Sequence, residues 1–120
     1  MPRNRCSGSR INSETASKIL RTVSVQEAFL FFTDIGQYTG EFAQSLESFY
    51  DKIGNAPLKS LIFHQKRGDF ERWIREVFGD AYLADRIHKI NISIKGEKLR
   101  ARLKGTVKRR LNQLKMAKGK

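Results

Sequence analysis

All eight phenylalanines and the only tryptophan of this 120-residue chain lie between residues 25 and 90. Aromatic side chains bury more area than any others, so a core is expected there. Charge divides the chain in the same places. Residues 1–24 carry five basic side chains against Glu14, and residues 91–120 carry eleven against Glu97. Between them, eight basic residues meet ten acidic ones. The pattern predicts a basic N-terminal arm over 1–24, a compact folded domain over 25–90 and a basic amphipathic tail over 91–120. The ends hold few large apolar residues, so they are expected to be disordered alone or to fold on a partner.

The folded part reads as mainly α (α+β), a bundle of about four short helices with one short strand. Ala28 to Thr33 is apolar on both faces, which suits a short buried strand, although periodicity equally admits a helix. Asp34 to Gly40 holds two glycines and an aspartate and reads as a turn or loop. Phe42, Leu46, Phe49, Tyr50 and Ile53 share one helical face, and Gly54-Asn55-Ala56-Pro57 ends that helix. Leu58, Leu61 and Ile62 begin a second face that closes near Gly68. Asp69 is a strong helix start and is expected to cap it. Phe70, Trp73, Ile74, Val77 and Phe78 follow at ideal amphipathic spacing, which places Trp73 in the core. Gly79-Asp80 reads as a C-cap followed by an N-cap, with Leu83, Ala84, Ile87 and Ile90 inward. A short helical turn fits Ala16 to Val23.

In the tail, Leu99, Leu103, Val107, Leu111 and Leu114 recur at steps of four, four, four and three. Basic residues fill most positions between them. Gly96 and Gly105 each weaken such a helix by about 1 kcal/mol, and the like charges repel. The segment is expected to be marginally helical until an anion neutralises it.

Three segments carry a family resemblance: residues 33–40 (TDIGQYTG), residues 45–49 (SLESF) and, above all, residues 63–74 (FHQKRGDFERWI). Gly79-Asp80 with Leu83-Ala84 also fits. Residues 25–90 thereby resemble a small archaeal domain family known only as a domain of unknown function. The resemblance implies an archaeal source and no particular activity. Archaeal ribosomes contain small lineage-specific proteins of similar architecture, a compact domain with basic ends.

The enzyme readings are thin. His64, five residues before Asp69, offers a His–Asp pair for acid–base work, and His88 is the other histidine. No nucleophile has a recognisable setting and no phosphate-binding loop precedes a helix. One cysteine, Cys6, and two histidines do not make up a zinc set and allow no internal disulfide. Arg67-Gly68-Asp69 matches a cell-adhesion tripeptide by chance in a chain that reads as cytoplasmic and without a signal peptide.

The basic ends suit a polyanion. A membrane surface is disfavoured because the tail lacks aromatic anchors and its apolar stripe is narrow. The expectation is a non-enzymatic ribosomal or ribosome-associated protein, with no cofactor, metal or small-molecule substrate. Its partners would be ribosomal RNA and neighbouring ribosomal proteins. The residues expected to contact RNA are Arg3, Arg5, Arg10 and Arg21 in the arm. In the tail they are Lys95, Lys98, Arg100, Arg102, Lys104, Lys108, Arg109, Arg110, Lys115 and Lys118. A chromatin-type or regulatory DNA-binding protein is the first alternative. A small enzyme or ligand-binding domain centred on His64 and Asp69 is the second.

Overall fold

Asn12 starts the first element. Its side chain accepts from the Thr15 N–H at 2.7 Å, so helix α1 runs Ser13–Ile19, three residues earlier than apolar spacing suggests. The computed structural model describes residues 11–119 except 92 and 95. After a 3₁₀ turn at Val25–Glu27 come strands β1 (Phe29–Asp34) and β2 (Gln37–Ala43). Four helices follow: α2 (Leu46–Asn55), α3 (Leu58–Arg67), α4 (Asp69–Trp73) and α5 (Ala81–His88). The chain ends in α6, Glu97–Lys118. The fold is mainly α with one small antiparallel sheet.

The expected single strand is one arm of a hairpin. β1 and β2 pair antiparallel, Leu30 opposite Phe42 and Phe32 opposite Tyr38. Gly36, at φ +75°, makes the turn. Phe42 therefore belongs to β2 and not to the α2 face. The α2 helix begins later, where the Ser45 hydroxyl accepts from the Ser48 N–H at 3.0 Å. A polar Thr39-Gly40-Glu41 stretch hides this strand from a search for alternation.

On α3 the inward face is Ser60, Leu61, His64 and Gln65, while Ile62 is exposed. Gln65 Nε2 donates to Ile87 O at 3.0 Å and Ile90 O at 3.1 Å, closing the end of α5. The α4 helix widens into one π-helical turn, Ile74–Phe78, before Gly79 stops it at φ +71°. Asp80 caps α5 as expected, accepting from the Leu83 N–H at 3.1 Å. Trp73 is buried, and its Nε1–H donates to Glu27 O at 2.7 Å. Phe29 stands at the aromatic centre, with ring centroids 4.9 Å from Phe31, 5.1 Å from Phe70 and 5.5 Å from Trp73.

The largest departure from the charge reading is α6. Leu99, Leu103, Val107, Leu111 and Leu114 are all buried in the same core as the aromatics. The helix packs against α1, α2, α3 and α5. Residues 97–118 are thus a wall of the domain and not an extension beyond residue 90. Residues 13–19 of the expected arm join it too, through Ala16 and Ile19. Burial of a five-residue stripe outweighs Gly105 and the like-charge repulsion, since each buried leucine is worth about 1.5–3 kcal/mol; Gly96 lies outside the helix, as its N-cap at φ +62°.

Leu103 is fully buried. Leu103→Ala is expected to destabilise the whole domain by about 2–5 kcal/mol, the range for a buried Leu→Ala change. Urea unfolding followed by tryptophan fluorescence reads this through Trp73, on another element. An unchanged midpoint would mean that α6 is a detachable tail.

Candidate nucleic-acid interface

The His64–Asp69 pair forms, in a different setting from the one expected. Its Nδ1 lies 2.8 Å from Asp69 Oδ2, and its Nε2 accepts from the Phe32 N–H of β1 at 2.8 Å. An acceptor at Nε2 puts the imidazole proton on Nδ1, where it is donated to the carboxylate. His64 is only 3% exposed. Burial pushes its pKa down, against the opposing pull of Asp69. Both nitrogens are used inside the fold, so neither is left to take a proton from a substrate.

Asp69 does not cap its helix. Its N-cap is Gly68, at φ +73°, and no side chain caps α4. The carboxylate instead accepts from His64, from Arg67 Nε at 3.1 Å and from Arg72 Nη1 at 3.1 Å. Burial would raise its pKa, but the bonds from His64, Arg72 and Arg67 prevail and lower it. The pair staples β1 to α3 and α4. A cleft of about 310 Å³ is lined by this pair together with Asp34, Arg67 and the apolar Phe29, Leu30, Phe32, Ile35 and Phe63.

The basic residues selected from sequence separate into two sets. Three have internal work. Arg21 donates to Lys18 O at 2.6 Å and to Val77 O at 2.7 Å, closing the π-helical turn. Arg100 donates to Ile53 O and Ala56 O, both at 2.7 Å, at the C-terminal end of α2, and pairs with Glu97. Arg110 is 5% exposed and grips both oxygens of Asp80, at 2.8 Å and 2.9 Å. These three are removed from the expected contact set, because their guanidiniums already satisfy buried or helix-terminal acceptors.

The other set holds no buried acceptor. Lys98, Arg102 and Arg109 follow at i, i+4 and i+11, on the side of α6 opposite Leu103 and Leu114. Lys108 is exposed and Lys104 half-buried on the side toward α2, their ammonium groups 5.4 Å and 4.5 Å from the Tyr50 ring centre. None of these five has a carboxylate within ion-pair distance among the described residues. Lys115 pairs with Glu47 at 2.8 Å and holds that carboxyl below its ordinary range. Lys118 is exposed near the end of α6. Arg3, Arg5, Arg10 and Lys95 lie outside the described residues.

A second basic hollow, beside Lys66, Arg67, Arg72, Arg75 and His88, differs in kind. There Arg67 and Arg72 pair with Asp69, Arg75 with Glu71 and Asp85, and His88 with Glu71. Charge in that hollow is nearly balanced, so the strip on α6 is the stronger anion surface. Among the described residues no helix is long and apolar enough to cross a membrane.

Comparison with known families finds one match, to a family of unknown function (DUF5752), over residues 15–108. The match runs across α1 and into α6, beyond the stretch that carries the sequence resemblance. No curated protein and no solved structure matches the chain.

Two outcomes test this geometry. The unfolded chain binds a proton that folded His64 resists, so stability is full above 6.5, the ordinary histidine value, and falls as pH drops below it. Asp69 adds a further loss below 3.8, where its native contacts lose their carboxylate. Urea midpoints measured from about pH 8 to about pH 5 should fall more steeply for the wild type than for His64→Gln; parallel curves would show that Nε2 is not an acceptor. Arg110→Ala strands the Asp80 charge and should cost about 3–5 kcal/mol, with most recovered in Arg110→Met/Asp80→Asn. A loss under about 1 kcal/mol, typical of exposed pairs, would show the pair to be solvated.

Proposed function

We propose that this chain, which belongs to the family of unknown function DUF5752, binds the phosphate backbone of RNA with the solvent face of α6. In this reading it is a non-enzymatic, structural member of a ribonucleoprotein particle. The archaeal ribosome is the particle that the sequence resemblance and the basic composition favour. One observation carries the reading: Lys98, Arg102, Lys104, Lys108 and Arg109 stand on one helix with no carboxylate partner among the described residues. The one acid of α6, Glu97, is bound to Arg100.

The mechanism is electrostatic. Each lysine or arginine that reaches a phosphate releases condensed counterions, so affinity falls steeply with salt. Lysine acts as a point charge, and arginine adds a bidentate fork. The α6 helix is packed on its apolar side against four other helices. It can lie across a phosphate ridge, but it does not stand clear of the domain as a groove-reading helix does. A face that contacts phosphates and not base edges suits a protein positioned by RNA shape. Duplex DNA offers phosphates as well and is the alternative that the experiment separates.

Sedimentation of native extract, probed for the full chain, tests the proposal. The wild type is expected to travel with a ribosomal subunit at low salt and to leave it at high salt. A Lys98→Gln/Arg102→Gln/Lys108→Gln/Arg109→Gln variant should stay at the top of the gradient with an unchanged circular dichroism spectrum. On purified RNA it should lower the log–log salt slope by about 3, at roughly 0.7–0.9 per phosphate contact. A wild type that stays at the top at low salt and prefers duplex DNA would move the assignment to the DNA-binding class.

A further inference from the structure

We propose that the crevice between α5 and α6 is a seat for one phosphate group, held by Arg86 from α5 and Arg109 from α6. This deepens the RNA reading and rests on it for the source of the phosphate. It adds a residue, Arg86, that lies outside both basic ends of the sequence.

The crevice measures about 100 Å³, with Tyr82, Arg86, Thr106, Arg109, Arg110 and Gln113 among its walls. At about 30 Å³ per liquid water, it holds roughly three waters, the bulk of one tetrahedral anion. No carboxylate lines it. Asp80 is the acid bound behind the wall, and its two oxygens are committed to Arg110 and to the Leu83 N–H. Arg110 is therefore neutralised. It also donates to Gln113 Oε1 at 3.0 Å, which fixes that amide in the wall.

The uncompensated charge comes from Arg86 and Arg109. Neither has a carboxylate within ion-pair distance among the described residues. Arg86 is not a free surface chain in the ordinary sense: its guanidinium rests over the Tyr82 ring, 5.8 Å from the centroid. Arg110 lies over the same ring at 4.6 Å. Tyr82 thus holds one arginine that is spent and one that is available at the same crevice. Two guanidinium forks without a counter-charge match a phosphate, whose oxygens accept in pairs, better than a single carboxylate. Arg109 also belongs to the solvent strip of α6, so a backbone lying along that strip reaches the seat without a change of direction.

The test uses the full chain in three forms: wild type, Arg86→Gln, and Lys89→Gln as a control that removes the same charge at the C-cap of α5, outside the crevice. Arginine Nε–Hε resonances are followed while inorganic phosphate is added, and RNA binding is measured against salt. The seat predicts that phosphate shifts Arg86 and Arg109 and leaves Arg100 in place. It also predicts that Arg86→Gln weakens RNA binding about 5–10-fold and lowers the salt slope by about 0.7–0.9, one contact, beyond the effect of Lys89→Gln. If phosphate shifts both arginines but RNA neither binds nor competes, the seat stands as a site for a free phosphate compound and the RNA reading falls. If RNA binds through α6 while Arg86→Gln behaves like Lys89→Gln and phosphate moves neither resonance, the seat is wrong and the RNA reading survives.

Discussion

The Asp80 carboxylate is the point through which the basic helix is tied to the rest of the domain. Its side chain is 1% exposed, and that of Arg110 is 6% exposed. One carboxylate oxygen serves both the first turn of α5 and Arg110, and the other serves Arg110 alone. Desolvating two charges costs several kcal/mol per ion, so the pair is tolerated only with its hydrogen bonds complete. That requirement sets the register. A leucine stripe repeating every three or four residues would still bury apolar area if α6 slid by one turn. The same slip would leave Arg110 and Asp80 each buried and alone. The stripe supplies the driving force for docking α6, and the ion pair selects the position at which it docks.

Much of the fold was legible because helices advertise their inner faces. The Phe70, Trp73, Ile74 and Phe78 pattern, the Gly79-Asp80 junction and the inward set of α5 are where spacing and capping chemistry put them. Two features were not legible, for different reasons. The Thr39-Gly40-Glu41 stretch of β2 lacks any alternation, so β2 exists by pairing with β1 and by the turn at Gly36, which are not local properties. The α6 stripe was plain in the sequence, but its destination was not. A helix wheel shows which side is apolar and is silent on whether a partner domain, a membrane or the chain's own core covers it. Charge density then suggested a tail, although charge on one face does not oppose burial of the other.

The same wheel contained the information that divides the cations. Arg110 falls seven residues after Leu103 and four before Leu114, on the apolar side. Arg100 is three residues before Leu103 and seven before Val107, on the edge of that side. Lys98, Arg102 and Arg109 fall opposite. Phase relative to the leucines would thus have flagged Arg110 as internal and placed Arg100 and Lys104, three before Val107, beside the apolar stripe. Nothing in the sequence would have found Arg21, whose acceptor at Val77 is 56 residues away. Nor would it have shown that His64 offers its free nitrogen to a strand backbone, since that depends on how β1 lies across α3.

A cationic strip carried on a folded helix has different energetics from a cationic tail. A tail that orders on its partner loses conformational entropy as it binds, at about 1–2 kcal/mol per backbone residue, and much of the gain from counterion release offsets that loss. Here the core has already ordered α6. Lys98 and Arg109 stand roughly 16 Å apart along the axis, at about 1.5 Å per residue, in an array set before any anion arrives. Only the side chains remain to be fixed, and Tyr50 and Tyr82 already hold some of them. Such an array trades adaptability for definition. Under the proposal that this strip binds RNA, it favours phosphates that match its spacing, and selectivity between RNA shapes would follow from the rigidity of the helix without contact with a base.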